Sequence, residues 1–167
     1  MKTFYMKEKV FSLSGKFTVI DESEQDVYSV QGSFMKIPKT FSIFDRSNTE
    51  VANITKKTFS WLPTFYVEVE RQDVLTIKKE FSFLKSRYTI SGVDIDVQGN
   101  WWDMDFEMIQ NGEVIGRVSK EWFTWGDSYR VELLNEELEK VVIAIVVAID
   151  CVKADEAAAN SSIHMHT

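Results

Sequence analysis

The feature that most restricts what this chain can fold into is a run near its C-terminus, Val141 to Ile149, in which nine consecutive side chains are apolar. Lys140 and Asp150 bound it, and nine residues are under half of the ~20 needed to cross a bilayer, so the run is expected to be buried in protein. Asn135 just before it is a good helix N-cap, and Glu136, Glu137 and Glu139 put negative charge on the first turns, where the helix dipole favours it. These signals predict a helix over about 136–155, although Val and Ile alone would favour a strand. Because the run is apolar on every side, the helix is expected to be buried all round. In an otherwise β chain, the inside of a closed barrel is the simplest place for it, with packing between a sheet and a partner subunit as the alternative.

Most of residues 17–133 alternate apolar and polar with period two, the pattern of half-buried strands. Phe65-Tyr66-Val67-Glu68-Val69-Glu70 shows it clearly, and Asn111-Gly112 between Met104–Ile109 and Glu113–Val118 is the strongest hairpin signal. Connections are short, which suits an antiparallel sheet, and periodicity alone accounts for ten or eleven strands. Seven Gly and two Pro leave no room for long linkers, so one domain is expected over 1–155, with a flexible tail over 156–167.

Self-comparison adds a repeat. A shift of 64 residues lays VANITKKTFSWLPTFYVEV (51–69) on IGRVSKEWFTWGDSYRVEL (115–133) without a gap. Lys56/Lys120, Phe59/Phe123, Trp61/Trp125, Val67/Val131 and Glu68/Glu132 are identical, and Val30-Gln31-Gly32 has a twin in Val97-Gln98-Gly99. A unit of this length is too long for a solenoid repeat and reads as a duplicated half-domain. Two half-sheets with exposed edges lose those edges by pairing into one barrel.

The units FSIFDRSNTEVANITKK and FEMIQNGEVIGRVSKEW, with the closing segment VVIAIVVAIDCV, resemble the LURP-one-related family. That family shares its fold with the tubby C-terminal domain and the phospholipid scramblases. The resemblance runs from about Phe4 to Val152 and implies a mainly β fold: a closed antiparallel barrel of about twelve strands, in two repeated halves, around a central C-terminal helix. It implies no catalytic residue. For function, the resemblance points to the tubby domain's binding of phosphoinositide through basic residues on the barrel wall.

The residues themselves exclude several chemistries. Both histidines, His164 and His166, lie in the last four residues, so neither a Ser-His-Asp arrangement nor a built metal site is expected. Cys151 falls within the apolar helix, reads as a buried small hydrophobe, and has no partner for an internal disulfide. Neither a Walker motif nor a dinucleotide fingerprint occurs, so neither an enzyme nor a cofactor is expected. Asp94, Asp96, Asp103, Asp105 and Glu107 form the densest acidic cluster, with calcium as the functional reading and an acidic strand face as the plain one. The N-terminus lacks the continuous apolar stretch of a signal peptide, so a cytoplasmic protein is expected.

Charge is unevenly spread. Residues 1–90 carry 14 Lys and Arg against 11 Asp and Glu, while residues 91–167 carry 5 against 15. A net charge of −7 argues against general nucleic-acid binding, which draws its affinity from phosphate neutralisation. The basic candidates for an anionic ligand are Lys36, Lys39, Lys56, Lys57, Lys78, Lys79, Lys85 and Arg87, with lysines guarding edge strands as the plain explanation. Trp61 and Trp125 occupy equivalent repeat positions and are expected to pack, whereas one of Trp101 and Trp102 is expected to be exposed. The expectation is a non-enzymatic binding or scaffold module for anionic membrane lipid; the alternative is a protein-interaction or oligomerising module that uses exposed aromatics.

Overall fold

The computed structural model describes residues 1–7, 16–33, 37–80, 87–92, 94–123 and 126–164. It contains twelve strands and one α-helix. In the first half of the chain lie β1 (Lys2–Lys7), β2 (Lys16–Asp21), β3 (Asp26–Gly32), β4 (Thr40–Asp45), β5 (Glu50–Lys56) and β6 (Thr64–Val69). Next come β7 (Gln72–Glu80), β8 (Arg87–Gly92), β9 (Ile95–Asn100), β10 (Asp105–Gln110), β11 (Glu113–Phe123) and β12 (Gly126–Leu133). The chain then enters α1 (Glu139–His164).

All twelve strands belong to one antiparallel sheet in the order β8-β7-β6-β5-β4-β3-β2-β1-β12-β11-β10-β9. The sheet curls into a nearly closed barrel: β8 and β9 come together at its two ends, and no ladder joins them among the described residues. β1 pairs with β2 on one side and β12 on the other, so it links the first half of the chain to the second.

Two strands lie outside the ten that periodicity marks. In β1 the buried Phe4 and Met6 alternate with half-buried Tyr5, but the flanking lysines disguise it. In β9 only Ile95 and Val97 face inward before Gly99, at φ 114°, ends the pattern. The Asn111-Gly112 hairpin forms as expected, with both residues at positive φ. Glu70-Arg71, between β6 and β7, adopts the same left-handed pair with no Asn or Gly to announce it.

The 64-residue shift carries one ladder onto another. Ala52↔Val69, Ile54↔Val67 and Lys56↔Phe65 in β5/β6 become Gly116↔Leu133, Val118↔Val131 and Lys120↔Tyr129 in β11/β12. The register slips after Ile43 in β4/β5 and after Met108 in β10/β11. Gly32 faces Phe41 across β3/β4, and Gly99 faces Phe106 across β9/β10.

The helix occupies the interior. Asn135 Oδ1 accepts from the Glu137 amide at 3.1 Å and caps a 3₁₀ turn, Glu136–Leu138, that leads into α1. Residues 142–152 are all buried, packed against β5, β6 and β7 on one side and β11 and β12 on the other. Each buried Val or Ile contributes roughly 1.5–3 kcal/mol, which outweighs the poor helix propensity of β-branched residues. α1 is longer than expected, because the alanines at 157–159 are strong helix formers and carry it to His164 instead of ending in a tail. Residues 157–161 are exposed beyond the barrel mouth.

Candidate functional site

The two ends of the barrel are tied to α1 by different charges. At the end where α1 begins, Glu139 accepts from Lys2 Nζ at 2.8 Å and from the Tyr28 hydroxyl at 2.6 Å, and Lys140 pairs with Glu70. Burial first, then the Glu139 hydrogen bond, pushes the Tyr28 phenol well above its ordinary range, so it stays a donor.

The other end gathers most of the candidate basic residues that are described. Strand alternation splits each lysine pair, turning Lys56 and Lys79 toward α1 and leaving Lys57 and Lys78 exposed. Lys56 Nζ donates to both oxygens of Asp155 at 3.0 and 2.7 Å, and Lys39 Nζ lies 3.5 Å from the same carboxylate. Lys79 Nζ donates to both oxygens of Glu156 at 2.9 and 2.8 Å, and the Tyr88 hydroxyl adds a third donor at 2.6 Å. Burial and the Glu156 bond raise the Tyr88 phenol well above its usual value. Lys57 and Lys78 form no ion pair among the described residues. Lys36 and Lys85 lie outside the described residues, and of Arg87 only its place at the start of β8 is described.

Beside these lysines the segment 57–63 crosses from β5 to β6. Its neck is closed by the Lys57 amide donating to the Thr64 carbonyl at 2.8 Å, and the Thr64 hydroxyl donates to the Leu62 carbonyl at 3.2 Å. This held loop presents Phe59 fully exposed and Trp61 96% exposed. Phe59 also sits at φ 55°, a conformation that bulky residues rarely adopt. Ile37, 84% exposed, stands two residues before Lys39, whose carbonyl accepts from the Lys56 amide at 3.0 Å. The rim therefore carries three exposed apolar side chains among exposed lysines.

Trp61 thus does not pack as its repeat position implied, because the loop that carries it projects beyond the sheet; Trp125 lies outside the described residues. Trp101 is half-buried, and Trp102, 37% exposed, stacks on Tyr88 with ring centroids 5.9 Å apart. Together with Tyr88 they fill the mouth where β8 and β9 end.

The acidic cluster is dispersed. Asp103 is tied to Asn100, Asp96 to Gln98, and Glu107 to Arg117 at 2.6 Å, and no metal-holding group of acidic, Cys or His side chains occurs among the described residues. Cys151 is buried, and burial pushes its thiol well above its usual range. The side chains of both histidines lie outside the described set. No helix among the described residues is long and apolar enough to cross a membrane.

Comparison with known proteins bears on the same chain. The LURP-one-related family profile matches residues 2–150. The uncharacterised protein YxjI of Bacillus subtilis (strain 168) is 30% identical over 152 residues, covering 91% of this chain and 94% of that protein. A protein from Arabidopsis thaliana solved by X-ray crystallography shares the fold, with a TM-score of 0.59 at 13% identity over 90% of each chain. On its sequence and its fold alike, this chain belongs to the LURP-one-related family.

Proposed function

We propose that the protein is a non-enzymatic, cytoplasmic binding module whose barrel end around Lys57 docks peripherally on an anionic membrane surface. The observation that carries this reading is the held loop presenting Phe59 and Trp61 to solvent beside exposed Lys57 and Lys78. An aromatic with an apolar body suits the boundary between headgroups and acyl chains, and each lysine near an anionic leaflet contributes ~1 kcal/mol. Trp101 and Trp102 support an oligomerising role less well, since both are engaged with Tyr88. We further read the barrel as two copies of one six-stranded unit, a reading supported by the matched registers of β5/β6 and β11/β12.

Co-sedimentation with phosphatidylglycerol and phosphatidylcholine vesicles tests the docking. Binding is expected on the anionic vesicles, weakened by salt and lost in the double variant Phe59→Ser, Trp61→Ser. Equal, salt-independent partitioning onto both vesicles overturns it. So does a double variant that keeps its vesicle binding and instead loses a self-association seen by light scattering.

A further inference from the structure

Resting on that docking reading, we infer that Asp155 and Glu156 are built-in counter-ions that occupy the anion-binding positions of the rim. The face then responds to the charge density of a bilayer and not to the phosphate pattern of any one headgroup. Lys56 and Lys79 each present an ammonium to both oxygens of one carboxylate, at 2.7–3.0 Å. That is the arrangement in which they would hold two oxygens of a phosphate. Glu156 is only 4% exposed and takes a third donor from Tyr88 at 2.6 Å, so it is firmly seated. A ligand phosphate would have to displace a carboxylate tethered on the same helix, leaving an uncompensated buried charge behind.

What the rim leaves outward is different in kind. Lys57 and Lys78 stand exposed on the wall as hydrated point charges, without the planar fork that matches phosphate geometry. Such charges attract a negative surface without selecting its chemistry. The carboxylates thus set specificity by filling the place where specificity would arise, and Asp155, shared by Lys56 and the more exposed Lys39, is the one whose neutralisation frees two lysines together.

The experiment compares phosphatidylglycerol vesicles with vesicles carrying a polyphosphorylated inositol lipid at matched total charge, and titrates the soluble inositol polyphosphate by calorimetry. Wild-type protein is expected to bind the two vesicles within about twofold and to bind the soluble headgroup undetectably. Asp155→Asn is expected to favour the phosphorylated lipid by about tenfold, as one added charge-assisted contact supplies, and to bind the soluble headgroup. Adding Lys56→Ala should abolish both gains. Wild-type preference for the phosphorylated lipid at matched charge overturns the inference whether or not the variants fold. An Asp155→Asn protein with wild-type circular dichroism and melting that gains no headgroup binding overturns it too. Wild-type protein that binds neither vesicle sinks the docking reading instead, while the calorimetric arm still decides the role of the carboxylates.

Discussion

Gly116 marks the closest approach of α1 to the barrel wall: a Cβ there would stand 2.9 Å from Met108 Cε and 3.1 Å from Val142 Cγ1. Gly116→Val should destabilise the fold by about 1–3 kcal/mol through overpacking, read as a lowered urea midpoint with an unchanged slope. Tyr88→Phe tests the opposite error, a missing donor. It leaves the buried Glu156 one hydrogen bond short and should cost about 1–3 kcal/mol by the same measurement, although the ring keeps its stack on Trp102. Asp21 gives a pH signature. Its carboxylate accepts from the Gln25 and Ser23 amides and from Arg46, and these bonds, Gln25 first, hold its pKa below the usual 3.8. A depressed folded pKa means stability that is present above about pH 4 and lost as pH falls through the folded value. Asp21→Asn should therefore be less stable than wild type at pH 7, and the two should converge in urea melts near pH 2.

The helix and the 57–63 loop show what the sequence reveals at the level of elements and what it conceals. Ending the chain after Lys140 removes the buried run 142–152 and should abolish cooperative thermal unfolding, because the barrel would be left hollow. Ending it after Ala159 removes exposed helix and should change stability by no more than about 0.5 kcal/mol; a larger loss in a thermal melt would show that the projecting turns pack. The buried helix was legible because nine apolar residues behind an acidic cap have few alternatives, and β6 was legible because its alternation is complete. β9 was not, since a strand that ends in a left-handed glycine gives too short a period. The lysines at the site were visible as pairs, but their partners lie 99 and 77 residues away, and no local pattern encodes that meeting. Trp61 and Phe59 were hidden for a different reason. An aromatic residue is buried by default, and only the loop's closure at Lys57 and Thr64 turns these two outward.

Across the whole molecule, the excess of basic residues in the first half and acidic residues in the second becomes an internal complement. Lys2 on β1, Lys56 on β5 and Lys79 on β7 all pair with carboxylates of α1, so part of that asymmetry clasps the barrel to its helix. The ladders close the barrel less evenly. Position by position, β8 and β9 correspond to β2 and β3: Ile77↔Ile90 mirrors Met6↔Val19, and Gly99↔Phe106 mirrors Gly32↔Phe41. β2 and β3 pair with each other through Phe17↔Val30 and Val19↔Tyr28, while no ladder joins β8 to β9 among the described residues. Where two strands share a fold position and differ in one ladder, the strand lacking it has fewer amides shielded and opens at lower free energy. Native-state hydrogen exchange should therefore show β8 and β9 amides exchanging faster than those of β2 and β3 by on the order of tenfold, about 1.4 kcal/mol of opening free energy. The slowest amides should lie in β5, β6, β11 and β12, where the matched ladders flank the helix. Equal protection in β8/β9 and β2/β3 would mean that the barrel is sealed in solution, with Tyr88, Trp101 and Trp102 plugging a seam that is already closed by hydrogen bonds.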